Sequence, residues 1–258
     1  MNRRAERYIF LVSAIGLVLA ALSCATFVRQ VMEIGFLSDA FELACLIFLC
    51  TVSSALPIRM RDNQWLDVSI ISILAVYLTR GMDVAIAIWV ISCIILYVYE
   101  LIFKPKSAAS RSGLMKFFFN TSAIIISIFL ASKLCKIIPW KLGDMSFPIV
   151  LLPTFVFSVA AFTINALIEL TLFWLNGEIT AREMLSTMLG LLVNVLAAMP
   201  LGLLIAELLS MESGTWIAMI MLFPLLLARY AWQLYLDAKK QQTRLIAAFI
   251  STMEAKDT

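Results

Sequence analysis

Apolar residues run through this chain in long blocks, and polar residues collect in the short breaks between them. Eight blocks can be marked, at about 8–28, 36–56, 66–79, 82–103, 115–138, 147–175, 188–210 and 214–236. Most are near the ~20 residues at which an α-helix crosses a hydrocarbon layer of ~30 Å. The pattern predicts an all-α fold: a polytopic membrane helix bundle of about eight transmembrane helices, with a C-terminal cytoplasmic signalling helix. The third block, Leu66 to Thr79, is short for a span and is followed at once by Arg80-Gly81-Met82-Asp83. Blocks three and four therefore read as a helical hairpin with a tilted or partly re-entrant first arm. The sixth opens on Phe147-Pro148 and Pro153, and proline is tolerated in a first turn and can kink the helix beyond it.

Composition narrows the class. The chain of 258 residues is 62% hydrophobic and 14% charged, where a soluble domain carries about 25% charge. An ordinary soluble globule and a disordered chain are both excluded. There is no histidine, which removes the usual general base and the commonest metal ligand. No metal site, no cofactor and no nucleic-acid partner are expected. The five cysteines lie in or at the ends of apolar runs without a CxxC spacing, as small membrane residues do.

Charge placement orients the bundle. With the N-terminus inside, the outer loops hold five of the 20 basic residues, Arg29, Arg80, Lys133, Lys136 and Lys141, and the inner side holds the rest. That bias predicts a bacterial cytoplasmic-membrane protein with both termini cytoplasmic. Arg3, Arg4 and Arg7 before an apolar run ending in Ala21-Leu22-Ser23-Cys24 could pass for a cleaved leader. The run continues through Phe27-Val28, so the first block is read as a span. No loop is long enough for a soluble domain. The basic stretch from Lys104 to Lys116 reads as a flexible tether dividing a membrane domain, 1–236, into four-helix halves, 1–103 and 115–236.

Ionisable and amide side chains within spans are costly and are functional candidates. Glu169 lies in the sixth block with Asn165 one helical turn earlier on the same face. Asn194 is expected at a similar depth on the antiparallel seventh block, and Asn120 enters the fifth from the same side. Together Asn120, Asn165, Glu169 and Asn194 could line one polar ligand or coupling pocket, or could simply hydrogen-bond the helices together. Glu100 and Lys104 read as an interfacial ion pair, and Arg80 and Asp83 as stabilisers of the outer turn. Pro224 and Arg229 in the last block could form a signalling hinge; interfacial anchoring by Arg229 and its aromatic neighbours is the plainer reading.

After Tyr235 the composition changes abruptly, and residues 237–258 read as a cytoplasmic linker helix. Tyr235, Lys239, Gln242, Ile246, Phe249 and Met253 fall at alternating four- and three-residue steps, a marginal homodimer seam. The run from Ile246 to Asp257, ending Glu254-Ala255-Lys256-Asp257, resembles the opening helix of the HD-GYP phosphohydrolase domain. The membrane part, through Phe119-Asn120, Asn165 and the Pro224–Arg229 stretch, is similar to multi-helix sensor domains that precede such modules in Gram-positive bacteria. The resemblance implies a sensory and anchoring domain in a lipid bilayer, responding to a small ligand or lipid and regulating a downstream HD-GYP cyclic di-GMP phosphodiesterase. Without histidine this chain cannot carry that hydrolysis. It is expected to be a fragment ending at the domain boundary, or a truncated product, of a parent enzyme. The alternative reading is the membrane subunit of a small-solute transporter, with Ala21-x-x-x-Ala25 as a small-residue helix contact. A membrane enzyme working through Glu169 would need a second acid or a metal site that the sequence does not offer.

Overall fold

The computed structural model describes residues 2–34, 36–55, 58–61, 64–66, 69–211 and 214–221, with scattered positions from 223 to 242. Among them the elements run α1 (Arg3–Ile34), α2 (Phe36–Ala55), β1 (Ile58–Arg61), β2 (Gln64–Leu66), α3 (Ser69–Arg80), α4 (Met82–Phe103), α5 (Pro105–Ala108), α6 (Arg111–Cys135), α7 (Leu151–Leu175) and α8 (Ala181–Ser210). Apart from turns, these residues are helical except for one short antiparallel ribbon, in which Ile58 faces Leu66 and Arg59 faces Trp65. Residues 214–221 are helical. Arg229 and the run from Ile246 to Asp257, with half of the expected dimer seam (Ile246, Phe249 and Met253), lie outside the described residues.

Among the described residues four helices are long and apolar enough to cross a membrane: Arg3–Met32, Met82–Phe103, Arg111–Cys135 and Leu151–Leu175. Their surfaces fit that setting. Phe10 on α1 is 78% exposed and Ile102 on α4 is 67% exposed, positions that lipid covers at no cost. α1 continues without a break through Cys24.

α3 behaves differently. Its 12 residues rise only about 18 Å at 1.5 Å per residue, well short of a ~30 Å layer. Nine of them, including Ile71, Leu74 and Leu78, are buried. α3 is enclosed by α2, α4, α7 and α8, so protein and not lipid covers it. Gly202 of α8 allows the approach, because a Cβ there would stand 2.7 Å from Leu74 Cδ2 and 3.2 Å from the Ile71 carbonyl. The end of α3 is capped from outside its own sequence. Gly143, at φ +82°, donates its N–H to the Leu78 carbonyl at 3.1 Å. Tyr77 stacks on Phe157 of α7 with centroids 4.0 Å apart.

Several interior hydroxyls are satisfied locally, as a low-dielectric setting favours. The Ser53 and Ser72 hydroxyls share a 2.7 Å hydrogen bond between α2 and α3. Ser127 and Thr154 return their hydroxyls to carbonyls one turn earlier, a bond common to hydroxyls inside helices.

Arg80, expected to stabilise the outer turn, reaches back with its guanidinium to Glu42 of α2. Two local expectations are corrected. Glu100 and Lys104 form no ion pair, and the link between them is the Lys104 N–H to the Glu100 carbonyl at 2.7 Å. The Lys104–Lys116 stretch is folded: α5 is held by the Tyr97 hydroxyl on the Ala108 carbonyl at 3.1 Å, and Ser110 caps α6 by accepting from Gly113 N–H at 3.0 Å. The small-residue contact of α1 also falls elsewhere. Ala21 and Ala25 are exposed, while Gly16 is pressed against Ser122 of α6.

Candidate functional site

The site forms where the first turns of α1 and α6 meet the last turns of α7. Contacts far apart in sequence hold these three helices together. Tyr8 of α1 donates its hydroxyl to the Ile168 carbonyl of α7 at 3.1 Å. Ser122 of α6 donates to the Ser13 carbonyl of α1 at 3.3 Å. Behind them Ile9, Val12, Phe119 and Ile126 close a small apolar core.

In front of that core lies a cleft of about 730 Å³ whose polar lining includes Glu6, Arg111, Lys116, Asn120, Glu169 and Glu178. Each wall has a local cause. Gly113 lets α6 begin tightly against α5, since a Cβ there would lie 2.4 Å from the Ser107 carbonyl oxygen. α7 ends on Asn176, and Gly177 follows in the left-handed region at φ +77°. Glu178 N–H then bonds the Phe173 carbonyl at 3.0 Å, the closing bond of a Schellman turn. That turn brings Glu178 to the cleft. The chain re-enters a helix two residues later through a capping box, Thr180 with Glu183. The Thr180 backbone N–H and hydroxyl hold the Glu183 carboxyl below its ordinary range.

Asn120 and Glu169 line this cleft together. Asn165 joins them through Glu169, donating from Nδ2 to Oε1 at 3.1 Å. The Asn165 Oδ1 is buried without a hydrogen-bond partner among the described residues, and so is Asn176 Oδ1 on the cleft wall. Asn194 lies on α8, which packs against α7; its side chain lies outside the described residues. Pro224 is helical and exposed and is not among the residues that line the cleft, and its expected hinge partner Arg229 is not described. Among the described residues no group of three or more Cys, Asp or Glu is placed to hold a metal ion.

Sequence reasoning found the intramembrane pair and missed the charged rim. In the sequence Arg111 and Lys116 read as inner-side basic residues of a tether, and Glu6 and Glu178 carry no pattern that marks them. The Asn176-Gly177 end of α7 was the signal that a carboxylate would be turned back toward the bundle.

No family model, no curated protein and no solved structure matches the chain.

Proposed function

We propose that this chain is a membrane sensory and anchoring domain of a bacterial cytoplasmic membrane. It crosses with about eight helices and both termini in the cytoplasm, and it passes a signal through its C-terminal helix. The observation that carries the reading is the cleft: an intramembrane carboxylate, Glu169, tied to Asn165 and opening among the ends of three separate helices. A ligand there touches α1, α6 and α7 at once, and it shifts their packing to the extent that it binds one arrangement better than another. The output is a downstream cytoplasmic HD-GYP module that hydrolyses cyclic di-GMP, dimerised through residues 237–258. The Ile246–Asp257 run supports that output by resemblance.

The coding sequence past Thr258 tests the output directly. It should continue into a Gly-His-Ser segment within a few tens of residues; a stop codon there overturns the link. In the full-length protein Glu169→Gln should change the response of cyclic di-GMP hydrolysis to membrane conditions, and an unchanged response at normal expression returns Glu169 to a structural role.

One observation favours the second reading, a small-solute transporter subunit. α3 is a short apolar helix enclosed by protein, and short or interrupted helices mark binding sites in transporters. Uptake of a defined solute by cells expressing this chain alone would decide for it.

A further inference from the structure

The cleft shares Glu6, Ile9, Arg111 and Met115 with a second space of about 750 Å³ that runs along α1 and the start of α6. The two differ sharply in character. The second is walled by Phe10, Ala14, Leu17, Leu114 and Phe118, and all five are exposed on the bundle surface. In the first, charge is sorted by helix. Cations stand on α6, Arg111 and Lys116; acceptors stand at the end of α7, Glu169, Asn176 and Glu178. Arg111 is 3.8 Å from Glu6, too long for a hydrogen bond, so its donors are not taken up by that contact. Lys116 has no carboxylate within ion-pair distance among the described residues. Asn176 keeps an unpartnered oxygen among the described residues.

We infer that the two spaces together hold one zwitterionic aminophospholipid, of the phosphatidylethanolamine class. Its phosphate lies on Arg111 and Lys116, its ammonium faces the α7 acceptors, and one acyl chain follows the Phe10–Leu17 side of the second space. The inference rests on the sensory reading and names the ligand of the same cleft. Each part of the lipid answers a different part of the surface. Guanidinium and ammonium groups bind phosphate by charge-assisted hydrogen bonds. A primary ammonium supplies the N–H donors that carboxylates and an amide oxygen accept. An acyl chain covers apolar side chains that a free headgroup would leave bare. An anionic lipid without an amine would instead bring a net negative charge close to two carboxylates and offer the three acceptors neutral hydroxyls in place of an ammonium. A lipid held this way bridges α6 and α7, and its fit changes with their separation.

The test uses the whole chain, purified in detergent and stripped of lipid, with retained lipid read by native mass spectrometry and melting temperature read in parallel. Phosphatidylethanolamine should be retained and raise the melting temperature. Phosphatidylglycerol should bind about tenfold more weakly, and phosphoethanolamine, the headgroup alone, should not bind in the same range. Lys116→Gln should weaken phosphatidylethanolamine about tenfold, and Ala14→Trp, which fills the apolar space, should do the same. Both positions are exposed, so the lipid-free melting temperature should not move. Equal retention of both lipids, saturation by the headgroup alone, or indifference to both variants overturns the inference. Regulation that persists in a protein retaining no phosphatidylethanolamine overturns the lipid and leaves the sensor. Lipid binding that never alters the full-length protein's output overturns the sensor and leaves the lipid site.

Discussion

Replacing Gly16 by alanine tests how the α1–α6 seam is built. An ideal Cβ at Gly16 would stand 2.2 Å from Ser122 Cβ, 2.4 Å from its Oγ and 2.6 Å from its Cα. Of those atoms only Oγ can turn away by rotation about Cα–Cβ; the Cβ and Cα positions are set by the backbone. The helices must therefore separate. Alanine brings about 1 kcal/mol of helix propensity over glycine. Against this stand about 1–3 kcal/mol for overpacking and about 1 kcal/mol for disturbing the Ser122–Ser13 hydrogen bond. The net expectation is destabilisation by about 1–3 kcal/mol, a fall in melting temperature of roughly 2–12 °C for a chain of this size. Gly190→Ala is the control: α8 has open space there, so propensity acts alone and the melting temperature should hold or rise slightly. Ser122→Gly in the Gly16→Ala background should restore part of the loss, because it removes the two nearest atoms and leaves the Cα. The assay is thermal melting of the purified protein in detergent, read by thiol exposure and by loss of the monodisperse peak. A Gly16→Ala protein that melts at or above the parent, or a Gly190→Ala protein that falls as far, refutes the close-contact reasoning.

Single contacts give further expectations. Glu169→Gln keeps an oxygen for the Asn165 amide and should change stability by less than about 1 kcal/mol, whereas Glu169→Leu strands that amide and should cost about 1–3 kcal/mol by the same melting assay. The Glu183 carboxyl is lowered by the Thr180 backbone N–H and hydroxyl. Its contribution is therefore present above the ordinary carboxylate range and is lost as pH falls through the depressed value. Melting curves of the parent and Glu183→Gln should differ at neutral pH and converge in acid; a gap that widens in acid reverses the sign. Reporters fused after Thr258 should be active in the cytoplasm, and activity on the outer side would overturn the orientation.

Much of the helical layout was legible because apolar length is a strong signal. The block at 82–103 is α4, Met82–Phe103, to the residue. The block at 147–175 overran its helix by four residues, since α7 starts at Leu151. Phe147 to Val150 form a mostly apolar turn, and hydropathy alone does not separate a turn from a span. The shortness of α3 was visible in Leu66 to Thr79. Its enclosure was not, because burial by protein and burial by lipid ask for the same residues. Within the site, the Asn165–Glu169 pair followed from a four-residue step on one helix. The charged rim did not, for Arg111 and Glu178 come to line one cleft through contacts such as Tyr8–Ile168 and Ser122–Ser13, which are 160 and 109 residues apart. No local pattern encodes such distances.

Those long-range contacts also give the cleft a route to the rest of the molecule. α7 supplies the acceptor wall at its C-terminal end, and the same helix packs on α3 and α8 further along. Phe157, fully buried, holds α7 to Tyr77 of α3, and the α7–α8 turn leaves little slack between Gly177 and the Thr180 cap. Closely packed helices of this kind shift as units and do not bend residue by residue. In the proposed sensor, an occupant that draws the end of α7 toward α6 would act on α8, which packs against α7. The cleft lies at one end of α7 and the contact with the buried α3 lies further along it, so the proposed sensor and the alternative transporter would draw on the same helices. The difference between them is what moves: the C-terminal chain in a sensor, the packing around α3 in a transporter.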